Sequence, residues 1–189
     1  MKKIIEEVYE EVKNRCMLPS NAYGMGAFDH HIELVYKLAI ENYYKYGADK
    51  NIVALAALLH DIASVTNKEY TEEHHIIGVS IAEEILSKYD ITKEELELIK
   101  KCILNHRGSV LKEKTTQEEI CIADCDAMAH FYSVPSLLKM VYVEKNMDID
   151  EGALFVYNKL ERSYNKLSNQ GKEIVKKEYE SAKLLLMKK

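Results

Sequence analysis

The stretch Ala54-Leu-Ala-Ala-Leu-Leu-His60-Asp61-Ile-Ala-Ser64 decides how this chain is read. Small and apolar residues run straight into an imidazole and a carboxylate. Such a run belongs inside a protein, where both polar groups are costly unless paired or bound to a metal. Neighbouring helix residues point about 100° apart, so His60 and Asp61 rarely share a partner in mid-helix. At the end of a helix they can converge on one cation. A lone His-Asp pair is more often two polar surface residues, so the positions of the other histidines and aspartates decide the matter.

The chain has 189 residues, a length that fits one domain over 1–189. Its apolar fraction of 47% is ordinary for a globular protein, and no stretch approaches the ~20 apolar residues of a membrane span. The formal net charge is −5 and no basic run stands out, which argues against a large nucleic-acid footprint. A small anionic ligand held through a metal remains compatible with that charge. Acidic residues enter at Glu6 and Glu7, too early for a signal peptide. The cysteines, Cys16, Cys102, Cys121 and Cys125, form no Cys-x-x-Cys pair. Together these features lead to the expectation of a reduced, cytoplasmic protein.

Only two prolines and seven glycines interrupt a helical periodicity. The expectation is an all-α chain. Helices are expected over Lys2 to Arg15, from Asp29 to about Tyr46, and from Asp49 or Asn51 to His60-Asp61. Ser64 to Tyr70 is expected as a loop. Further helices start at Thr71, at Thr92 with a capping box completed by Glu95, at Thr116, near Pro135, at Asp148 or Asp150, and at Ser168. Gly108 to Thr115 is expected as a loop. The last two helices carry no histidine and read as an accessory layer; Tyr132, Tyr142 and Tyr157 could cover a pocket, form a homodimer contact or simply pack.

Six of the seven histidines, His30, His31, His60, His74, His75 and His106, fall in the first two-thirds of the chain near expected helix ends. Their order, with the segments Phe28-Asp-His-His31-Ile-Glu-Leu-Val35, Leu59-His60-Asp61-Ile62, His74-His-Ile-Ile-Gly78, Ile103-Leu-Asn-His106 and Ile122-Ala-Asp124-Cys-Asp126-Ala-Met, resembles the HD superfamily of metal-dependent phosphohydrolases. The resemblance implies an HD-domain helical bundle with a metal-binding core at about 28–131 and accessory C-terminal helices over 132–189. It implies a divalent transition metal (Mn, Fe, Co, Ni or Zn) on His31, His60, Asp61 and Asp126, a mixed nitrogen and oxygen set of the kind those ions take. In the family the second Asp of the Asp-x-Asp segment is usually the ligand, which favours Asp126 over Asp124. His74 and His106 either bind a second metal or face the substrate phosphate as general acid or charge partner. Asp61, His74 and His106 are then the catalytic candidates, and Arg107 is a possible phosphate partner.

The implied reaction is attack of a metal-activated water on a nucleotide or other small phosphate ester. Cyclic-dinucleotide phosphodiesterases of the superfamily read His-Asp-Ile-Gly-Lys; here Ser64 stands in place of that lysine, and their downstream Gly-Tyr-Pro motif is absent. That branch is therefore disfavoured. Two other readings stay open: a di-iron oxygenase on the same fold, and a non-catalytic module that senses a nucleotide.

Overall fold

The structure is a computed structural model and describes residues 1–107 and 113–187. The described residues form eleven α-helices and no β-strand. Residues 108–112 of the loop expected over Gly108 to Thr115 lie outside the described set.

Helix α1 (Lys2–Cys16) buries Val8, Val12 and Cys16, its helix-spaced apolar stripe. A π-helical turn at Phe28–Ile32 leads directly into α2 (Glu33–Tyr46), which Gly47 terminates in the left-handed conformation at φ 70°. Asp49 caps α3 (Lys50–Leu59) by accepting from the N–H groups of Asn51 and Ile52. Every residue of α3 from Ile52 to Leu59 is buried, so this is the central helix, flanked by α1, α2, α6 (Lys93–Asn105) and α7 (Gln117–Tyr132).

The chain departs from expectation just beyond His60. The apolar run does not end there: Ile62, Ala63, Ser64 and Val65 are also buried, and they belong to a short helix, α4 (Ile62–Thr66), whose last three residues were expected to open a loop. Asp61 is the joint between α3 and α4, with φ −106° and ψ 15°. A second departure concerns Thr71. Its hydroxyl donates back to the Lys68 carbonyl at 2.7 Å, so α5 (His74–Leu86) starts at His74. Thr92 and Thr116 do build reciprocal capping boxes with Glu95 and Glu119. Glu119 also accepts from Asn105 Nδ2 at 2.6 Å, tying the end of α6 to the start of α7.

Helix α8 (Val134–Lys139) carries Pro135 in its first turn and runs into a π-helical turn at Met140–Glu144. Asp148 caps α9 (Ile149–Lys166). Ser168 caps α10 (Asn169–Ile174), and a break at Val175 separates it from α11 (Lys176–Leu186), so the single last helix of the sequence reading is two. Helices α9 and α11 lie on α7. No helix is long and apolar enough to cross a membrane among the described residues.

Asp124 joins the C-terminal helices to this core. Its carboxylate accepts from the Tyr46 hydroxyl at 2.9 Å, from the Ser168 N–H at 2.9 Å and from the Ser168 hydroxyl. Gly171 packs so closely against it that a Cβ there would collide with the carboxylate. Replacing Asp124 by Ala strands the buried Tyr46 hydroxyl, at about 1–3 kcal/mol, and the half-buried Ser168 donors, at less because water reaches them. Urea unfolding of Asp124→Ala should therefore show a loss of roughly 2–4 kcal/mol, whereas Thr92→Ala, which removes one exposed cap, should lose only about 1 kcal/mol.

Candidate metal centre

Six sequence-singled side chains meet where the π-turn, the α3–α4 joint, α5, α6 and α7 converge. The π-turn supplies His31; its wide turn is closed by the Glu33 N–H donating to the Phe28 carbonyl. Asp29, expected to cap a helix, lies inside this turn instead. His60 and Asp61 come from the joint, His74 from the first residue of α5, His106 from the end of α6, and Asp126 from α7.

Three of the imidazoles are oriented by their own backbone. His60 Nδ1 lies 2.7 Å from the Ala57 carbonyl, His74 Nδ1 2.7 Å from the Thr71 carbonyl, and His106 Nδ1 2.6 Å from the Ile103 carbonyl. A carbonyl only accepts, so each Nδ1 carries the proton and each Nε2 offers a lone pair to the centre. Each bond runs back three residues, which a histidine at a helix end, or one turn past the short 3₁₀ helix at Lys68–Tyr70, can satisfy locally.

The donor atoms fall into two sets, His31, His60 and Asp126 in one and Asp61, His74 and His106 in the other. Asp61 spans both. Its Oδ2 lies 3.5 Å from His31 Nε2 and 3.5 Å from His60 Nε2, while its Oδ1 lies 3.4 Å from His74 Nε2 and 3.8 Å from His106 Nε2. Asp126 Oδ1 lies 3.3 Å from His31 Nε2, and the Nε2 atoms of His31 and His60 are 3.2 Å apart. His74 and His106 face each other at 3.1 Å. Asp124 is two residues from Asp126, about 200° around the helix, and bonds to Ser168 on the other side of α7.

The electrostatics of the cluster favour a positive charge at its middle. Burial opposes ionisation of Asp126, yet the His31 hydrogen bond and charge hold its carboxyl well below the usual range. Asp61 is lowered as well, burial again being outweighed, here by His60 and His31. Burial opposes the charge on His31, but its hydrogen bonds to Asp126 and Asp61 push it up to about 9. His106 goes the other way: burial, then the neighbouring His60, pushes it down to about 4 and keeps it neutral. A field that draws a proton onto His31 draws a metal cation by the same attraction.

Other singled-out residues lie off the centre. His30 is exposed, and His75 is buried beside His74, with ring centroids 5.7 Å apart. Arg107 donates to the Glu72 carbonyl at 2.6 Å. Ser64, at the place of the absent lysine, is fully buried and accepts from the Tyr23 hydroxyl at 3.2 Å.

The structure also brings up residues that the sequence reading passed over. A cavity opens beside Asp126 and His106, lined further by Lys114, His130, Ser163 and Lys166. The His130 ring stacks on His31 at 5.6 Å, and its Nδ1 shares a 3.0 Å hydrogen bond with the Ser163 hydroxyl. His130 follows Asp126 by one helical turn on the same face of α7, a spacing visible in the sequence. Ser163 and Lys166 come from α9, whose approach to the centre is a tertiary fact without a local signature.

The family model described as the HD domain matches residues 28–130, more than half of the chain. Ribonuclease Y of Clostridium perfringens is 32% identical over 108 residues, which are 57% of this chain and 19% of that protein. An uncharacterised protein of Clostridium beijerinckii is 41% identical over 61 residues, 32% of this chain and 39% of that protein. The chain thus matches about two fifths or less of the length of these curated relatives. The crystal structure of Bacillus subtilis YpgQ in complex with ADP superposes with a TM-score of 0.63 at 19% identity, covering 93% of this chain and 90% of that one, which establishes a common fold. With the histidine and aspartate segments gathered in one all-helical core, the chain belongs to the HD-domain family.

Proposed function

We propose that this protein is a divalent-metal-dependent phosphohydrolase acting on a nucleotide or another small phosphate ester. The observation that carries the reading is the position of Asp61, with one carboxylate oxygen toward each set of histidines. The donor spacing suits metal ions: two ligands at about 2.1 Å from a common ion lie ~3.0–3.4 Å apart for right-angle to tetrahedral arrangements. The contacts from His31 to His60, Asp61 and Asp126, at 3.2, 3.5 and 3.3 Å, are close to that range.

In this reading His31, His60, Asp61 and Asp126 would hold a first ion, and His74 and His106 would hold a second, with Asp61 offering an oxygen to each set. Imidazole and carboxylate donors without thiolate suit Mn, Fe, Co, Ni or Zn. Such ions, when bound, acidify coordinated water and polarise a phosphoryl oxygen. The residues of the chain do the rest. The backbone bonds of His60, His74 and His106 keep Nε2 aimed inward, and burial keeps His106 neutral and able to ligate. The ADP in the YpgQ structure and the nuclease among the relatives both favour a substrate with a nucleotide phosphate.

A hydrolysis screen tests the proposal, read as phosphate or pyrophosphate release from nucleoside mono-, di- and triphosphates and as strand cleavage of a short oligoribonucleotide, with Mn, Co, Ni, Mg and Fe each supplied. Hydrolysis of at least one of these is expected. Oxygen consumption without phosphate release would instead place the chain in the oxygenase branch, and tight nucleotide binding without turnover would make it a sensor. Asp61→Ala should lose most bound metal and at least ~10³-fold in kcat/KM, several kcal/mol of transition-state stabilisation. Metal analysis should further separate the two aspartates of α7: Asp126→Ala loses metal and Asp124→Ala keeps it.

Stability against pH gives a further test. In chelator-treated protein, His31 is raised to about 9 in the folded state, so its contribution is complete below about 6.5 and is lost as pH rises through 9. His106 is lowered to about 4, so the unfolded chain takes up its proton first and stability also falls from about 6.5 toward 4. The unfolding temperature should peak near pH 6.5, and added Mn should abolish the alkaline decline by taking over the role of the His31 proton.

A further inference from the structure

Beyond the two carboxylates and four histidines, the cavity has a second chemical character. Lys159, Ser163 and Lys166 occupy i, i+4 and i+7 of α9, which places them along one face of the helix. Ser163 and Lys166 line the cavity together with Lys114, His130 and Asp126. Ser163 is buried and held against His130. Lys159 is partly buried and forms no ion pair or hydrogen bond among the described residues. Burial lowers its pKa, and the charge of Asp126 is the largest influence against that shift.

An ammonium group half withdrawn from water without a partner is costly, and lysine side chains ordinarily reach solvent or a carboxylate. Asp61 and Asp126 are already engaged by histidines. Lys159 and Lys166 on α9 and Lys114 at the cavity thus carry positive charge that no carboxylate pairs with directly among the described residues.

We propose that Lys159, Ser163 and Lys166, with Lys114 at the same cavity, form a subsite for a second phosphate, so that the preferred substrates carry at least two phosphoryl groups, as a nucleoside diphosphate or triphosphate does. The proposal rests on the phosphohydrolase reading for the position of the first phosphate at the histidine–aspartate centre. Lys159 and Lys166 neutralise the second group, and the Ser163 hydroxyl, set in place by His130, stands between them along the helix. A monophosphate would engage the centre alone.

The test uses two non-nucleotide probes, inorganic phosphate and imidodiphosphate, whose P–N–P bridge resists hydrolysis. Each is titrated calorimetrically into desalted protein retaining its isolated metal, with metal content measured before and after. The wild type should bind imidodiphosphate at least about tenfold more tightly than phosphate, the worth of one or two charge-assisted bonds. Lys159→Met and the exposed Lys166→Gln should each weaken imidodiphosphate by about fivefold or more while moving phosphate affinity less than twofold, and Lys159→Arg should recover most of the loss. Equal affinity for the two probes in the wild type overturns the subsite. So does a Lys159→Met variant that loses both probes alike, since that result assigns Lys159 to the fold or the metal centre. The two levels separate cleanly: the binding pattern without any phosphate release sinks the hydrolase and keeps the subsite, whereas equal turnover of mono- and diphosphates with flat binding does the reverse.

Discussion

The structure depends on one buried carboxylate. Asp61 sits at 6% exposure in the middle of the bundle, where an ionised group is expensive to keep unless its partners surround it. Four imidazole nitrogens within 3.4–3.8 Å provide that surrounding, two on each oxygen. No single helix could bring them. A carboxylate with ligands on both sides must stand at a break in the chain, and the α3–α4 joint is that break. The apolar run on either side of it, from Ile52 to Val65, anchors the joint so that Asp61 cannot swing toward solvent. Each histidine then arrives from a separate element, with its ring fixed by a carbonyl three residues earlier wherever that ring ends a helix or begins one.

Much of this was legible in the residues because the relevant signals are local. An apolar run ending in His60 and Asp61 has a period and a polarity that a reader can measure, and the caps at Thr92 and Thr116 are reciprocal patterns over four residues. Other features escaped for equally physical reasons. The π-turn carrying His31 depends on an i→i+5 bond that leaves no compositional mark, so Asp29 looked like a cap. Thr71 looked like one too, until its hydroxyl turned back to Lys68. The continuation of the helix past Asp61 was hidden by the polar residues at 60, 61 and 64, although the buried side chains of Ile62 and Val65 extend the same core. The wall supplied by α9 was the least legible. Serine and lysine are ordinary on a helix surface, and only the packing of α9 on α7 gives Ser163 and Lys166 their address.

Helix α7 shows how the two halves of the chain constrain one another. Asp126 and His130, one turn apart, face the centre, while Asp124 faces away toward Tyr46 and Ser168. The same rigid helix therefore fixes a donor atom at the centre and the anchor for the C-terminal segment. Because both are set by one helical phase, a rotation of α7 that moved Asp126 out of reach of His31 would also break the bonds to Ser168. The C-terminal helices thus resist distortion of the centre from outside, through Asp124, while the His130–Ser163 bond holds α9 against the cavity from inside. Donors collected from five elements exist as a cluster only when all of these contacts are made, so a cation bound there would draw on the same free energy as folding. A substrate that touched both the centre and α9 would add a further tie between the same two parts. Ligand binding should then stabilise the packing of α9 on α7 as well as the histidine–aspartate cluster itself.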